Sequence, residues 1–436
     1  MPTPLPWPVF AGVVALSVAS QPTDDPRRAI PTPRAFSMSE VGIRIEAPPS
    51  LDDGTRFGIS VAIGDDRLFV GCDGVRDGPP LPGRVLVYQR GRDGRWRWTE
   101  SIVSPDATAG DEFGATLCLD GDRLLIGAPG TDADRGAAWC LELGRSSDID
   151  AVPRRIPIPD AIPGDRFGEA LVVRNDLVVV GAPRADVDEF LDRGRVVTAR
   201  LTAEGPIIVG EPVPSDARTG LRFGWSLAID SVLHVGAPGA DAPDGYAGRT
   251  IDRAGAVMSF DRRPPHSRIG VLHRPVPGRL ERVGTSVASG PRSSLLVGSP
   301  RAFLGGVRTG VVGLPTTRSM IEIGGDVDHE TGLGLPLAAG RRIFAAGMPG
   351  RRGRDERPEP GIRIGSVRPG ALVPRFDLVL EDRSRTLISL GLDHKRGILA
   401  VGSPDPAFDD GPEVAGFVHL IRLEPLLLRA EWKARD

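Results

Sequence analysis

The chain reads as all-β: one seven-bladed β-propeller, each blade a four-stranded antiparallel sheet. Three observations predict it. First, a segment of two apolar runs around a polar turn recurs seven times, marked by Gly58, Gly114, Gly168, Gly224, Gly284, Gly334 and Gly391. These glycines are 56, 54, 56, 60, 50 and 57 residues apart, the interval expected when one supersecondary unit is stacked repeatedly. Second, Gly and Pro number 56 and 42 of 436 residues, about 22% against an ordinary level of roughly 12%, so turns are dense. Third, hydrophobic residues reach 40% although aromatics are only 5%, which excludes a disordered chain and leaves enough apolar surface for many thin cores. A helical bundle is excluded by the same turn density.

Taken in order, residues 1–20 carry a short apolar run, Val9 to Ala19, ending Val18-Ala19-Ser20. Such a run is too short to span a bilayer but suits the apolar core and cleavage site of a secretory signal peptide, although no Lys or Arg precedes it. Residues 21–40 are polar and Pro-rich and read as a linker. The propeller is expected over residues 41–436.

Four copies of the repeat align directly: RFGISVAIGDDRLFVGCD from Arg56, EFGATLCLDGDRLLIGAP from Glu112, RFGEALVVRNDLVVVGAP from Arg166 and RFGWSLAIDSVLHVGAP from Arg222. Weaker copies start at Arg282, Gly332 and Ser389. In each, a first strand (Ser60 to Ile63) is joined by a tight turn (Gly64-Asp65-Asp66 or Asp120-Gly121-Asp122) to a second strand (Leu124 to Ile126). A third strand opens on a small residue, as at Gly83, Gly136 and Gly255, and a fourth, such as Trp96 to Val103, completes the blade. Glycine at these points permits positive φ or close backbone approach, and proline after the second strand ends the ladder because it has no N–H.

These segments resemble FG-GAP repeats, the blade unit of the seven-bladed propeller in integrin α-subunits and many bacterial extracytoplasmic proteins. Phe57-Gly58, Phe113-Gly114, Phe167-Gly168 and Phe223-Gly224 carry the likeness, with Gly127-Ala128-Pro129, Gly181-Ala182-Pro183 and Gly236-Ala237-Pro238. Copies five to seven keep Gly and Pro, as in Gly298-Ser299-Pro300, but lose the Phe. The resemblance covers nearly everything after the linker, and each Phe is expected to wedge between neighbouring blades. Integrin-type repeats carry a calcium loop between the first two strands. Here that connection is a short turn with one or two carboxylates, too few for the six or more oxygens calcium needs, so the calcium function is not carried over.

Two segments compete to close the ring as the outer strand of blade 7. One is Gly42-Ile43-Arg44-Ile45, the other Leu426 to Trp432, and the C-terminal segment is preferred.

Net charge is −3, from 54 basic and 57 acidic residues spread along the chain, so no nucleic-acid partner is expected. Cys72, Cys118 and Cys140 stand where other copies hold small or apolar residues and read as packing residues. Acidic residues gather after Gly-Ala-Pro (Asp132, Asp134, Asp186, Asp188, Asp192, Asp241, Asp244, Asp252 and Asp405) and in the loops entering the next Phe-Gly (Asp106, Asp111, Asp160, Asp165 and Asp216). Both loop sets leave a blade on one face, where Arg135, Arg166, Arg184, Arg193, Arg195 and Arg253 are interleaved. That face is expected to be a salt-bridged rim, a ligand face or a set of weak divalent-cation sites, calcium among them; no cofactor is otherwise expected. The longest such loop, Gly239 to Ala254, holds Tyr246. Asp186, Asp188, Asp192, Asp241, Asp244 and Tyr246 are therefore the candidate ligand-binding residues, for a protein or carbohydrate partner.

No catalytic residue is assigned: the six histidines lack metal-ligand spacing, and no G-x-S-x-G or P-loop occurs. The Asp326 to Glu330 run is the densest potential metal cluster. The expected function is an exported, monomeric, non-catalytic binding, adhesion or interaction scaffold, secreted, periplasmic or at the cell surface. One alternative is a polysaccharide hydrolase or lyase using the axial cleft. It needs carboxylates or histidines from three or more blades at one mouth of the channel. The other is a structural cell-surface module, which needs exposed apolar outer strands in blades 5 to 7.

Overall fold

The computed structural model describes residues 33–49, 51, 56–74, 81–144, 152–244, 249–290, 294–304, 306–316, 319–325, 331–340, 342–350, 360–368, 371–380, 389–404 and 416–432. Seven four-stranded antiparallel sheets stand side by side. Blade 1 is Val61–Gly64, Arg67–Cys72, Arg84–Arg90 and Trp96–Val103; blade 2 is Thr116–Asp120, Arg123–Ala128, Ala137–Glu142 and Arg154–Arg155. Blade 3 is Ala170–Arg174, Leu177–Ala182, Arg195–Thr202 and Gly205–Gly210; blade 4 is Ser226–Ile229, Val232–Ala237, Ala256–Asp261 and Arg268–Leu272. Blade 5 is Ser286–Gly290, Ser294–Ser299, Val311–Pro315 and Met320–Gly324; blade 6 is Leu337–Ala339, Ile343–Met348, Gly361–Arg368 and Ala371–Val379. Blade 7 is Ser389–Asp393, Ile398–Ser403 and Phe417–Arg422, and its outer strand is Gly42–Glu46. The first strands of successive blades touch all the way round, blade 7 against blade 1 included, so they form the inner wall of a closed ring.

Closure differs from the preferred expectation. Gly42–Glu46 pairs antiparallel with Phe417–Arg422, Ile43 opposite Leu420 and Ile45 opposite Val418. The C-terminal segment is instead a helix, Leu423–Trp432, with Leu423 and Leu426 buried against blades 6 and 7. Its sequence explains the change: Leu, Arg, Ala and Glu are strong helix formers, and Pro425 sits in the first turn, where its missing N–H costs nothing. The segment expected as a linker also contributes. Arg34–Ser37 adds a fifth, parallel strand to blade 6 beside Phe376 to Val379, and Met38–Val41 is one helical turn with Met38 fully buried. The expected signal peptide and residues 21–32 lie outside the described residues.

Middle strands are buried on both faces by neighbouring blades, which is why they read as unbroken apolar runs: every residue of Leu177–Ala182 and Ile398–Ser403 is buried. The core is accordingly seven separate clusters, one per blade interface. Phe57 lies between blades 7 and 1, Phe113 between 1 and 2, Phe167 between 2 and 3, and Phe223 between 3 and 4. Val283 and Leu333 take the same place for the next two interfaces, still with no exposed surface. Edge-to-face partners follow the same rule: Phe113 meets Trp139 at 5.3 Å and Phe223 meets Phe260 at 5.7 Å between ring centres.

Backbones meet so closely at these interfaces that a side chain has no room. A Cβ at Gly127 would stand 2.5 Å from the Thr116 hydroxyl and closer still to the Gly168 carbonyl oxygen of the next blade. Beside this contact runs a second one. The hydroxyl two residues after the motif glycine donates to the motif-glycine carbonyl of the following blade: Ser60 to Gly114 (2.6 Å), Thr116 to Gly168, Ser226 to Gly284 (2.7 Å), Ser286 to Gly334 and Ser389 to Gly58 (3.0 Å). The last of these sews blade 7 to blade 1. Blade 3 has Ala170 at this position and blade 6 has Pro336.

The same register corrects the seventh motif. Ser389 pairs with Gly402 as Ser226 pairs with Gly236, so the motif position of blade 7 is residue 387, a Leu outside the described residues. Gly391 lies inside the first strand, opposite Ala400.

Candidate functional site

In blades 2, 3 and 4 the loop after the second strand meets the loop entering the next first strand, and both lie on one face of the ring. Gly164 N–H donates to the Asp134 carbonyl (3.1 Å), Gly220 to Leu191 (2.7 Å) and Leu280 to Asp252 (3.1 Å). The candidate aspartates sit on this face. Within Pro183 to Gly194, Asp186 accepts the Asp192 N–H at 2.8 Å, Asp188 pairs with Arg193 at 3.5 Å, and Asp192 pairs with Arg222 at 3.7 Å. Asp188 and Asp192 both have left-handed backbones, φ 55° and 50°, a conformation that Asp tolerates better than most residues. Leu191 between them is 62% exposed.

The blade 4 loop, Gly239 to Ala254, carries its own two-stranded hairpin, Ala242–Pro243 against Thr250–Ile251. Asp241 accepts the Arg253 N–H (2.9 Å) and pairs with Arg218. Asp244 lies at the end of the hairpin, its N–H on the Arg249 carbonyl (3.4 Å). Tyr246 lies outside the described residues. Arg218, on the connection from blade 3 to blade 4, thus joins the two candidate loops: that connection binds Leu191 of one loop, through Gly220, and Asp241 of the other.

Charge on this face is arranged around Arg166. It occupies the first position of its motif, at the head of blade 3, with φ 55°. Three carboxylates surround it: Glu112 at 2.6 Å, Glu169 at 2.8 Å, and Asp134. Arg184 holds Glu169 from the other side at 3.0 Å. Burial disfavours the Arg166 cation, but bonds from Glu112 and Glu169 more than offset that and raise its pKa.

Not every acidic residue of these loops faces outward. Asp111 and Asp165 are only 3% and 2% exposed and accept the N–H groups of Thr108 (2.7 Å) and Ile162 (3.0 Å), so they cap their own loops. Burial raises the Asp165 pKa, its one N–H bond opposing this. Asp405 and the Asp326 to Glu330 run lie outside the described residues. Among the described residues, no three His, Cys, Asp or Glu side chains gather as a metal-holding group.

The opposite face carries the short turns. Asp65 and Asp66 form a two-residue hairpin with φ 49° and 64°, and their carboxylates meet Lys395 (3.3 Å) and Arg396 (2.7 Å) of blade 7. The thiols are unpaired; Cys72 and Cys140 are buried and Cys118 half-buried, and burial pushes the Cys118 and Cys140 thiols up to about 11.

This interleaving of Phe-Gly and Gly-Ala-Pro contacts around a seven-membered ring is also met at the level of sequence families: the FG-GAP repeat family matches residues 96–140, which run from the outer strand of blade 1 to the third strand of blade 2. The match and the seven-bladed ring together support an FG-GAP seven-bladed propeller. No curated protein matches it. Among the described residues of this propeller, no helix is long and apolar enough to cross a membrane.

Two features bear on other uses of the FG-GAP ring. Its inner strands carry mainly apolar or small residues; among those described, only Asp120 and Asp393 are carboxylates, and both stand at the turn-bearing end. Exposed apolar residues of the outer strands lie on blades 1, 3, 4 and 7 (Trp98, Ile207, Ile269 and Ile43), not on blades 5 and 6.

Proposed function

We propose that this FG-GAP propeller is an exported, non-catalytic scaffold that binds a protein or carbohydrate ligand through the loops of one face, with blades 3 and 4 as the principal site. The observation that carries the reading is the pair of long loops, Pro183 to Gly194 and Gly239 to Ala254, held side by side on a closed ring by Arg218 and Gly220. Loops fixed on a rigid frame place side chains for recognition without paying ordering entropy at binding. Asp186, Asp188, Asp241 and Asp244, with exposed Leu191, supply the polar groups and one apolar contact. The short apolar run before the ring supports export.

The test is alanine substitution at Asp186, Asp188, Asp241, Asp244 and Tyr246 together, read on a partner captured by the immobilised full chain. Loss of at least tenfold in affinity with an unchanged melting profile is expected. Undiminished binding would move the site off these loops. Export is checked by fractionating cells that express the full chain and sequencing the N-terminus of the protein outside the cytoplasm.

A further inference from the structure

The surroundings of Arg166 recur two blades on with their charge inverted. Arg282 occupies the same motif position in blade 5, again with a left-handed backbone, φ 57°. Backbone bonds fix the correspondence. Arg166 donates its N–H to the Asp134 carbonyl at 2.8 Å, and Arg282 donates its own to the Arg253 carbonyl at 3.5 Å. Glu169 and Thr285 each donate an N–H back to the motif arginine's carbonyl, at 3.4 and 3.2 Å. Arg184 and Arg301 each follow the proline that ends the second strand. The preceding blade's motif residue is Glu112 in one case and Arg222 in the other, with φ 59° and 56°.

So each of the three carboxylates around Arg166 is replaced: Glu112 by Arg222, Asp134 by Arg253, Glu169 by Thr285. Arg184 keeps its charge as Arg301. Two arginines and three carboxylates become four arginines and none. Of the described acids on the adjoining loops, one meets this group at long range and two are held elsewhere. Asp192 reaches Arg222 only at 3.7 Å, Asp241 is held by Arg218, and Glu281 is buried against Arg274 at 2.6 Å. Among the described residues no carboxylate pairs with Arg253, Arg282 or Arg301, and Arg253 and Arg301 are exposed. Burial, then repulsion from Arg301, Arg222 and Arg253, holds the Arg282 cation below its ordinary pKa, each of the three acting on Arg282. Thr285 does not fill the gap, since its hydroxyl is spent on the Arg282 carbonyl at 2.6 Å.

We infer that Arg222, Arg253, Arg282 and Arg301 form a binding site for an acidic peptide, one of whose glutamate carboxylates takes the place that Glu169 fills in blade 3. Blade 3 shows the occupant: a glutamate carboxylate held between two guanidinium groups. Three cations with no paired carboxylate among the described residues, beside Arg222 with Asp192 at 3.7 Å, give room for more than one acidic side chain, and the Trp225 ring lies 5.3 Å from the Arg222 guanidinium. The site borders the aspartate-bearing loops, since Arg253 closes the blade 4 loop and Arg222 meets Asp192, so variants at Arg282 and Thr285, outside both loops, separate the two readings.

The experiment is fluorescence anisotropy of labelled hexaglutamate on the full chain at low ionic strength, with hexaglutamine as the neutral control and unlabelled polygalacturonate as a competing acidic sugar. Hexaglutamate should bind and hexaglutamine should not. Arg282→Gln and Thr285→Glu should each weaken hexaglutamate binding by about tenfold or more, the first by removing a cation and the second by restoring the internal carboxylate. Thr285→Glu should keep the wild-type melting temperature, and alanine at Asp186 and Asp188 should leave hexaglutamate binding intact. Equal binding of the two peptides, no binding of hexaglutamate, or indifference to Thr285→Glu would overturn the site. Tighter binding of polygalacturonate than of hexaglutamate would overturn the peptide as its ligand.

Discussion

Gly127→Ala separates the two reasons for which this ring uses glycine. Gly127 has no left-handed backbone; what it lacks is room, because the new Cβ would meet the Gly168 carbonyl of blade 3 and stand 2.5 Å from the Thr116 hydroxyl. Neither obstacle swings aside easily, since one is backbone and the other sits on a β-branched side chain. Overpacking of this kind costs up to about 3 kcal/mol. Displacing the Thr116 hydroxyl from the Gly168 carbonyl adds about 1 kcal/mol. The expected loss is therefore about 4 kcal/mol. Gly121→Ala is the control: φ is 62°, but nothing lies within 4 Å of its Cβ, so only the left-handed penalty of about 1–2 kcal/mol applies. Both are read from urea midpoints at constant m-value. If Gly127→Ala costs no more than Gly121→Ala, the close approach between blades is not what holds the ring together.

Three further outcomes follow from the same contacts. Ser389→Ala should lose about 1 kcal/mol by deleting the hydroxyl that joins blade 7 to Gly58, and Ala170→Ser should gain about 1 kcal/mol by supplying the one missing between blades 3 and 4; urea midpoints shifting in the same direction would contradict this. Arg363 holds Asp377 with two bonds of 2.9 Å and reaches the Gly324 carbonyl of blade 5 at 2.6 Å, all buried, so Arg363→Met should cost about 3–5 kcal/mol while Arg363→Met with Asp377→Leu recovers most of it, as a double-mutant cycle would show. Burial lowers the pKa of His234 and His273, so the unfolded chain binds protons first as pH falls below about 6.5; stability present above that value should decline toward pH 5, and a urea midpoint that rises on acidification would refute the assignment.

Blade count and strand order were legible because the first four copies carry Phe-Gly and copies two to four carry Gly-Ala-Pro, and the structure uses both marks at the interfaces between these blades. Val283 and Leu333 show why the signal faded without the fold fading: any apolar side chain of adequate size fills the wedge. Blade 7 was misaligned because its first turn, residues 394–397, is two residues longer than that of blade 1, which carried the motif position away from Gly391. The closing strand was ambiguous because Gly42–Glu46 and Leu423–Trp432 both carry apolar residues at short intervals. Helix propensity, not periodicity, decides between them. The row of hydroxyls at Ser60, Thr116, Ser226, Ser286 and Ser389 was present in the repeat, but only its register against the next blade reveals a partner. The aspartate loops could be placed on one face from strand parity alone. Which aspartates cap their own loops could not, because Asp111 and Asp165 are indistinguishable in sequence from exposed neighbours.

The central claim is that one ring is closed by its N-terminal strand, and hydrogen exchange on the full chain tests it most directly. Residues 42–46 should exchange as slowly as the outer strands of blades 1 and 3, because Gly42–Glu46 is paired along Phe417–Arg422. Exchange there as fast as in an exposed loop, with the outer edge of residues 417–422 equally unprotected, would contradict the closed ring.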